Sequence, residues 1–247
     1  LRIVFEDEGS VGNSKALEDC SGVVRMTIER VLEPEVMDSL EEAIEYDAMD
    51  FVTVNTAFAE EASAFGPKEQ GLVLDAGTGP GRIPVLLCQM RPQWQVIAID
   101  LAQSMLQIAS QHIQQAGLQQ QIRLELVDTK NLPYQDQQFD MVVSNSLIHH
   151  LPDPLPFFSE LKRVLKPNGG IFIRDLFRPA DEITINALVN NIGTEYNPHQ
   201  SKLFRDSLHA ALTLDEVNQL ISQVGLQEVK VYQSSDCHWT AQRAWSD

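Results

Sequence analysis

From residue 72 onward, short apolar runs alternate with apolar positions at helical spacing. Leu72-Val73-Leu74 reads as a buried strand ending at Asp75, and Ile83, Leu86, Leu87 and Met90 then recur at i, i+3, i+4 and i+7, a helix stopped by Pro92. Pro84 fits that helix only within its first turn. A second strand, Gln95 to Ile99, ends at Asp100, and Met105, Ile108, Ala109, His112, Ile113 and Ala116 mark the next helical face, stopped by Gly117. A third strand covers Ile122 to Val127 and ends at Asp128; a fourth covers Phe139 to Ser144. Phe157, Phe158, Leu161, Val164 and Leu165 predict a helix ended by Pro167-Asn168-Gly169-Gly170, and Ile171 to Ile173 a fifth strand ending near Arg174-Asp175.

Five strands joined by crossover helices predict a doubly wound, mostly parallel α/β sheet with right-handed connections. Two further strand-like segments, Glu228 to Tyr232 and Trp239 to Trp245, bring the expected total to seven. Between the fifth strand and the helix starting at Thr213 the alternation breaks. Residues 177–212 carry their own helical pattern (Ile183, Ala187, Leu188, Ile192, then Leu203, Leu208, Leu212), so a helical insertion is expected there. Connections this long tend to be lids or binding elements, and it is expected to cap a substrate pocket. Before the first strand, Ser39 with Glu42 three residues later predicts a capping box. Leu40, Ala43, Ile44, Asp47 and Phe51 form a partly apolar stripe after it, and a second helix is expected over Asn55 to Phe65. Residues 1–25 lack either period and are expected to be a poorly anchored arm, leaving 26–247 as a single domain with N-terminal helices at 39–65.

Composition narrows the class. The 247 residues are 43% hydrophobic, enough for one sizeable core, and no apolar run approaches the roughly 18 residues of a membrane span. The first ten residues lack the basic-then-apolar order of a signal peptide, and Cys20, Cys88 and Cys237 are far apart and odd in number. A cytoplasmic protein with reduced cysteines, no membrane partner and no structural zinc is expected. The net charge of −17, with no basic run beyond Lys162-Arg163, argues against nucleic acid and for a neutral or cationic partner.

Candidate chemistry sits at the strand ends. Asp75-Ala76-Gly77-Thr78-Gly79-Pro80-Gly81 lets the backbone turn tightly and aims a helix N-terminus at a ligand. A dinucleotide fingerprint would place its third glycine at 82, where Arg82 stands, and Asp75 would repel a pyrophosphate but suit an ammonium. Asp100 is placed to accept from ribose hydroxyls, and Asp128 from an exocyclic adenine N–H. Three consecutive strands ending in Asp share the carboxyl edge, where open α/β sheets bind ligands.

In order, VLDAGTGPGR, VIAIDLAQSMLQIA, VDTKNLPYQDQQFDMVVSNSLIHHLPDP and ELKRVLKPNGGIFIRDL resemble the class I S-adenosylmethionine-dependent methyltransferases of the small-molecule group, over about residues 72–176. The resemblance implies a Rossmann-like methyltransferase sheet with S-adenosylmethionine as cofactor. It implies Asp75, Gly77, Thr78, Gly79 and Gly81 around the methionine part, Asp100 on the ribose, Leu101 and Met105 beside the adenine, and Asp128 with Thr129 at its amine. Asn145, Ser146, Leu147, His149 and His150 would line the path to the methyl group.

A sulfonium is already activated, so a base is needed only if the acceptor arrives protonated. His149 and His150 are candidates, with Asp175 and Arg174 as rivals or substrate binders. Tyr46, Met49 and Phe51, with Arg178, Tyr196, His199, Arg205 and His209 in the insertion, are substrate-pocket candidates. No metal site is expected, because no His pair among His149, His150, His199 and His209 shares a helical turn. A small-molecule acceptor and a monomer or homodimer are expected. The alternatives are a nicotinamide-dependent oxidoreductase, a non-catalytic cofactor-binding subunit, or aminopropyl transfer on the same fold.

Overall fold

The computed structural model describes residues 28–33, 39–49, 51–192 and 196–246, so the expected arm at 1–25 lies outside the described residues. Its sheet has seven strands: β1 (Gly71–Ala76), β2 (Trp94–Asp100), β3 (Ile122–Leu126), β4 (Phe139–Asn145), β5 (Leu165–Leu176), β6 (Lys230–Gln233) and β7 (His238–Arg243). They lie in the order β3-β2-β1-β4-β5-β7-β6. The first five pair in parallel, while β7 runs antiparallel to both β5 and β6. After β1 the chain winds outward to β2 and β3, then returns to β4 on the other side of β1. The β1–β4 boundary is therefore the topological switch point, and the crevice beyond its carboxyl end is where such sheets bind ligands.

Helices cover both faces. One core joins Leu74, Ile97, Val142 and Ile173 to α5 (Leu155–Val164) and α8 (Leu214–Val224). The other joins Val73, Val96, Val143 and Phe172 to α2 (Val52–Phe65) and α3 (Arg82–Met90). Neighbouring strand residues thus go to opposite cores, as the period of two requires. α4 (Gln103–Ala116) ends at Gly117, which is left-handed at φ 71. Among the described residues, no helix is long and apolar enough to cross a membrane.

Three expectations need correction. The strand expected from Ile171 starts at Leu165: the Pro167–Gly170 stretch stays in the sheet across a register irregularity against β4. The helix expected from Asn55 begins at Val52. In α1 (Leu40–Asp47) the capping box of Ser39 and Glu42 forms, but Leu40 and Ile44 of the stripe are exposed, at 52% and 55%. Ala43 is the buried member, packed with Ala102, Met105 and Ile108 and flanked by Tyr46. The α1 surface is set by what α4 offers, a small-residue contact, and so departs from the stripe of largest side chains.

The insertion contains α6 (Glu182–Ile192) and α7 (Pro198–Ala210). Ile185, Leu188, Leu208 and Ala211 pack with Leu176 at the end of β5 and with Ile28 from the N-terminal segment. Asn197 caps α7 with Gln200 in a second capping box.

Candidate ligand cleft

Beyond the carboxyl ends of β1, β2 and β4 lies a cleft floored by Gly77, Thr78, Gly79 and Pro80. Asp100, Leu101, Ala102, Met105, Asp128, Thr129 and Lys130 form one wall, and Asn145, Ser146, Leu147, His150 and Leu151 the other. Tyr46, Asp47 and Phe51 come from the α1 side, Arg82 and Ile83 from α3.

The floor is a run of left-handed turns. Gly77, Gly79 and Gly81 have φ of 74, 53 and 73, and the Gly77 and Thr78 amides are held by the Ile99 carbonyl at 3.0 and 2.9 Å. Among the described residues, a Cβ added at Gly79 would have nothing within 4 Å, so that backbone faces open space. Asp100 binds this loop to its own: Oδ2 accepts from the Gly79 amide at 2.8 Å, Oδ1 from the Ala102 amide at 2.9 Å. Burial raises its carboxyl above the usual range, against the pull of these backbone amides. Asp128 Oδ1 accepts from the Lys130 amide at 2.9 Å and lies 3.2 Å from the Lys130 ammonium.

Asp75 lies beneath the floor, 1% exposed. Its Oδ2, like the Thr78 hydroxyl, is buried with no hydrogen-bond partner among the described residues. Burial pushes its carboxyl up to about 7; the neighbouring Thr78 hydroxyl pulls against that rise, and the Asp100 charge adds to it. An unpartnered buried carboxylate costs free energy unless a cation or donor arrives. Ser146 adds backbone strain, standing at φ 56 with its amide held by the Arg174 carbonyl at 2.9 Å.

Of the candidates, Gly77, Thr78, Gly79, Asp100, Leu101, Met105, Asp128, Thr129, Asn145, His150 and Tyr46 border the cleft. Asp75 and Gly81 lie behind it. His149 and Asp175 do not reach it either. His149 is 4% exposed, and its Nδ1 lies 2.5 Å from Asp175 Oδ1. Asp175 also accepts from the Ile148 and Leu176 amides, at 2.5 and 2.6 Å. Burial alone would push both groups toward their neutral forms; their mutual attraction outweighs it, raising His149 and lowering Asp175. Arg174 points to the α2 face: it donates to Glu61 at 2.7 Å and Thr240 at 3.0 Å, and lies over Phe58 and Phe172. Residue parity explains this, since Arg174 and Asp175 leave opposite faces of β5. His199 contacts Glu45 of α1 at 3.5 Å, and Tyr196 packs edge-on with Phe204 at 6.3 Å between centroids, so both lie outside the cleft lining.

The sequence reading missed Asp47. Its carboxylate meets Arg82 Nε at 2.7 Å and His112 Nε2 at 3.3 Å, while His112 Nδ1 lies 2.7 Å from the Pro80 carbonyl. This pins α1 to the helix that follows the glycine loop. In the sequence Asp47 is one position of a helical stripe, and no local pattern couples it to residues 82 and 112.

The methyltransferase-domain family profile matches residues 67–233. A demethylmenaquinone methyltransferase of Lactobacillus johnsonii is 35% identical over 117 residues, 47% of this chain and 48% of that relative, so the chain spans about half the relative's length. A ubiquinone biosynthesis O-methyltransferase of Dinoroseobacter shibae is 25% identical over 183 residues, 73% of this chain and 71% of that one. The solved fold of a putative S-adenosyl-L-methionine-dependent methyltransferase from Methanococcus maripaludis superposes with a TM-score of 0.68 at 20% identity, covering 88% of this chain and 98% of that one.

Proposed function

The chain belongs to the class I S-adenosylmethionine-dependent methyltransferase family, and from that premise we propose that it methylates a neutral or cationic small molecule held at the β1–β4 crevice. When bound, S-adenosylmethionine supplies an activated sulfonium methyl for in-line attack. The observation carrying the reading is the cleft itself: an open glycine cradle, the unpartnered Asp75 and Thr78 oxygens beneath it, and Asp100 and Asp128 at successive strand ends.

The chain's own residues divide the work. Gly77 and Gly79 let the backbone approach the methionine part, and Asp75 neutralises an ammonium from below. Asp100 accepts from the ribose while holding Gly79 in place. Leu101 and Met105 cover the adenine, and Asp128 with Thr129 meets its edge. Asn145, Ser146 and Leu147 shape the wall near the methyl group. His150, half-buried, borders the cleft beside Leu147 and Leu151. His149 and Asp175 hold the turn that carries it. Positioning supplies most of the rate. On the acceptor side, Tyr46 and Phe51 pack at 5.3 Å between centroids, and Leu147 and Leu151 face them across the cleft. That lining suits a flat, largely apolar acceptor, in keeping with the quinone-pathway names of two relatives. α1 and α7, joined through Glu45 with Asn197 and His199, form the cap over that side.

Asp100→Ala tests the cofactor assignment. It should weaken S-adenosylmethionine and S-adenosylhomocysteine alike by about 1.5–3 kcal/mol, roughly 10- to 150-fold, because both carry the same ribose. Calorimetry on the purified chain measures this. Wild type that binds neither ligand but binds NADH would show the reading to be wrong.

Asp75 supplies a second test, in pH dependence. Its carboxyl in the folded protein, at about 7, lies above the ordinary carboxylate value. Its favourable contribution is therefore complete below that ordinary value and is lost as pH rises through about 7. Asp75→Asn should make the ligand-free protein more stable by about 1–2 kcal/mol in mildly alkaline solution, less in acid, and should weaken the cofactor. Urea unfolding across that range checks it; a gain that grows toward acid pH would contradict the assignment.

A further inference from the structure

Next to the cleft, three potential ligands converge from distant parts of the chain. Glu33 belongs to the segment 28–33, and His149 and His150 to a single 3-10 turn after β4. One carboxylate oxygen and one ring nitrogen from each histidine all lie within 4.8 Å of one another. We propose that Glu33, His149 and His150 form a site for one divalent transition-metal ion of the zinc class.

Distances come first. Glu33 Oε1 lies 3.4 Å from His149 Nε2 and 3.1 Å from His150 Nδ1. Bonds of about 2.0–2.1 Å in a tetrahedron put neighbouring ligands about 3.3 Å apart. Two of the three edges already have that length.

Hydrogen bonding is the second, independent observation. His150 Nδ1 is buried, and despite its 3.1 Å approach to Glu33 it makes no hydrogen bond among the described residues. A proton shared between the two would need alignment that is missing. A lone pair directed at a common third point does not.

The surroundings fit a metal ligand set. Asp175 holds His149 Nδ1 and thereby aims Nε2 at Glu33, the arrangement in which an outer carboxylate orients a ligating imidazole. Ser207 Oγ lies 3.2 Å from each Glu33 oxygen and fixes the carboxylate from the α7 side. Glu33 and Asp175 carry two negative charges. Arg30 offsets one while its guanidinium donates to the His149 and Leu151 carbonyls at 3.2 and 2.9 Å. The two carboxylates thus outnumber the one guanidinium around the histidine pair. Two nitrogen donors and one carboxylate suit zinc, cobalt or iron, and do not suit magnesium or calcium, which take oxygen. Three protein ligands leave a position open, and His150 places the site against the cleft wall. An ion there also clasps segment 28–33, already tied to α7 by the Val31 amide and His209 carbonyl at 3.1 Å, onto the turn after β4.

No local pattern signals this cluster, because Glu33 is remote from the His149-His150 pair and adjacent histidines lack the spacing of a helical ligand pair. The chelator-stripped chain, residues 1–247, titrated with Co²⁺ and with Zn²⁺ by calorimetry and visible absorption, tests the site. One equivalent of Co²⁺ should bind with the intense d–d bands of low coordination, and Zn²⁺ should displace it. Glu33→Gln, nearly isosteric, and His150→Ala should each weaken binding by more than about 100-fold, beyond the 10- to 100-fold typical of losing an outer-shell partner. His199→Ala, an exposed histidine away from the cluster, should leave Co²⁺ affinity as in wild type. Failure of the wild type to bind, or equal binding by wild type and Glu33→Gln, overturns the proposal. S-adenosylhomocysteine affinity measured on the same samples reports separately on the transferase reading.

Discussion

His149→Ala should lower the unfolding free energy of the metal-free protein by about 3–5 kcal/mol near neutral pH. The imidazole and the Asp175 carboxylate are both buried and 2.5 Å apart. Removing one partner leaves the other charge in a medium that solvates it poorly. Asp175 would keep the Ile148 and Leu176 amides, which limits the loss to that range without abolishing it. His149→Asn, whose side-chain NH₂ can stand where Nδ1 stood, should cost clearly less. The pH dependence has two arms. Asp175 is lowered, so its contribution is lost as pH falls through its depressed value; His149 is raised, so its contribution is lost as pH rises through its elevated value. The gap between wild type and His149→Ala should therefore be widest at intermediate pH. Urea unfolding in the presence of chelator measures it, and a loss under about 1 kcal/mol would mean the pair is solvated or unformed.

Gly81→Ala should destabilise the protein by about 2–4 kcal/mol, while Gly79→Ala, two residues away, should cost only about 1–2 kcal/mol. Both residues are left-handed, so both substitutions carry the strain of an L side chain there. Only Gly81 also lacks room: its Cβ would stand 2.7 Å from the Ala109 Cβ and 3.0 Å from the Ala109 Cα, on the packed face of α4. At Gly79 the added methyl enters open cleft, so the larger effect there should be on S-adenosylhomocysteine affinity. Thermal unfolding and calorimetry on the two variants separate the effects. Equal destabilisation by both would show that α3 and α4 yield readily at this contact.

Other features near the cleft depended on distant partners. The Asp47 latch requires Arg82 and His112 from two other helices. Arg174 and Asp175 looked equivalent as neighbours at a strand end, yet one stacks on Phe172 and the other holds His149. The 3-10 turn decides which of two adjacent histidines borders the cleft.

What the sequence by itself determined is the fold, with the glycine-rich loop and the acidic strand ends that border the cleft. Strand and helix periods, the capping box at Ser39, Gly117 at a helix end and the glycines at 77, 79 and 81 are all local signals, written within a few residues. Parallel pairing then brings Asp75, Asp100 and Asp128 to one edge, since each lies within two residues of the carboxyl end of its strand. What only the tertiary structure decided is which face of α1 turns inward, where Arg174 points, and that Glu33 meets His149 and His150. Those outcomes depend on pairwise distances between residues remote in the chain, set by packing and by the pairing of buried charges, and neither leaves a period in the sequence.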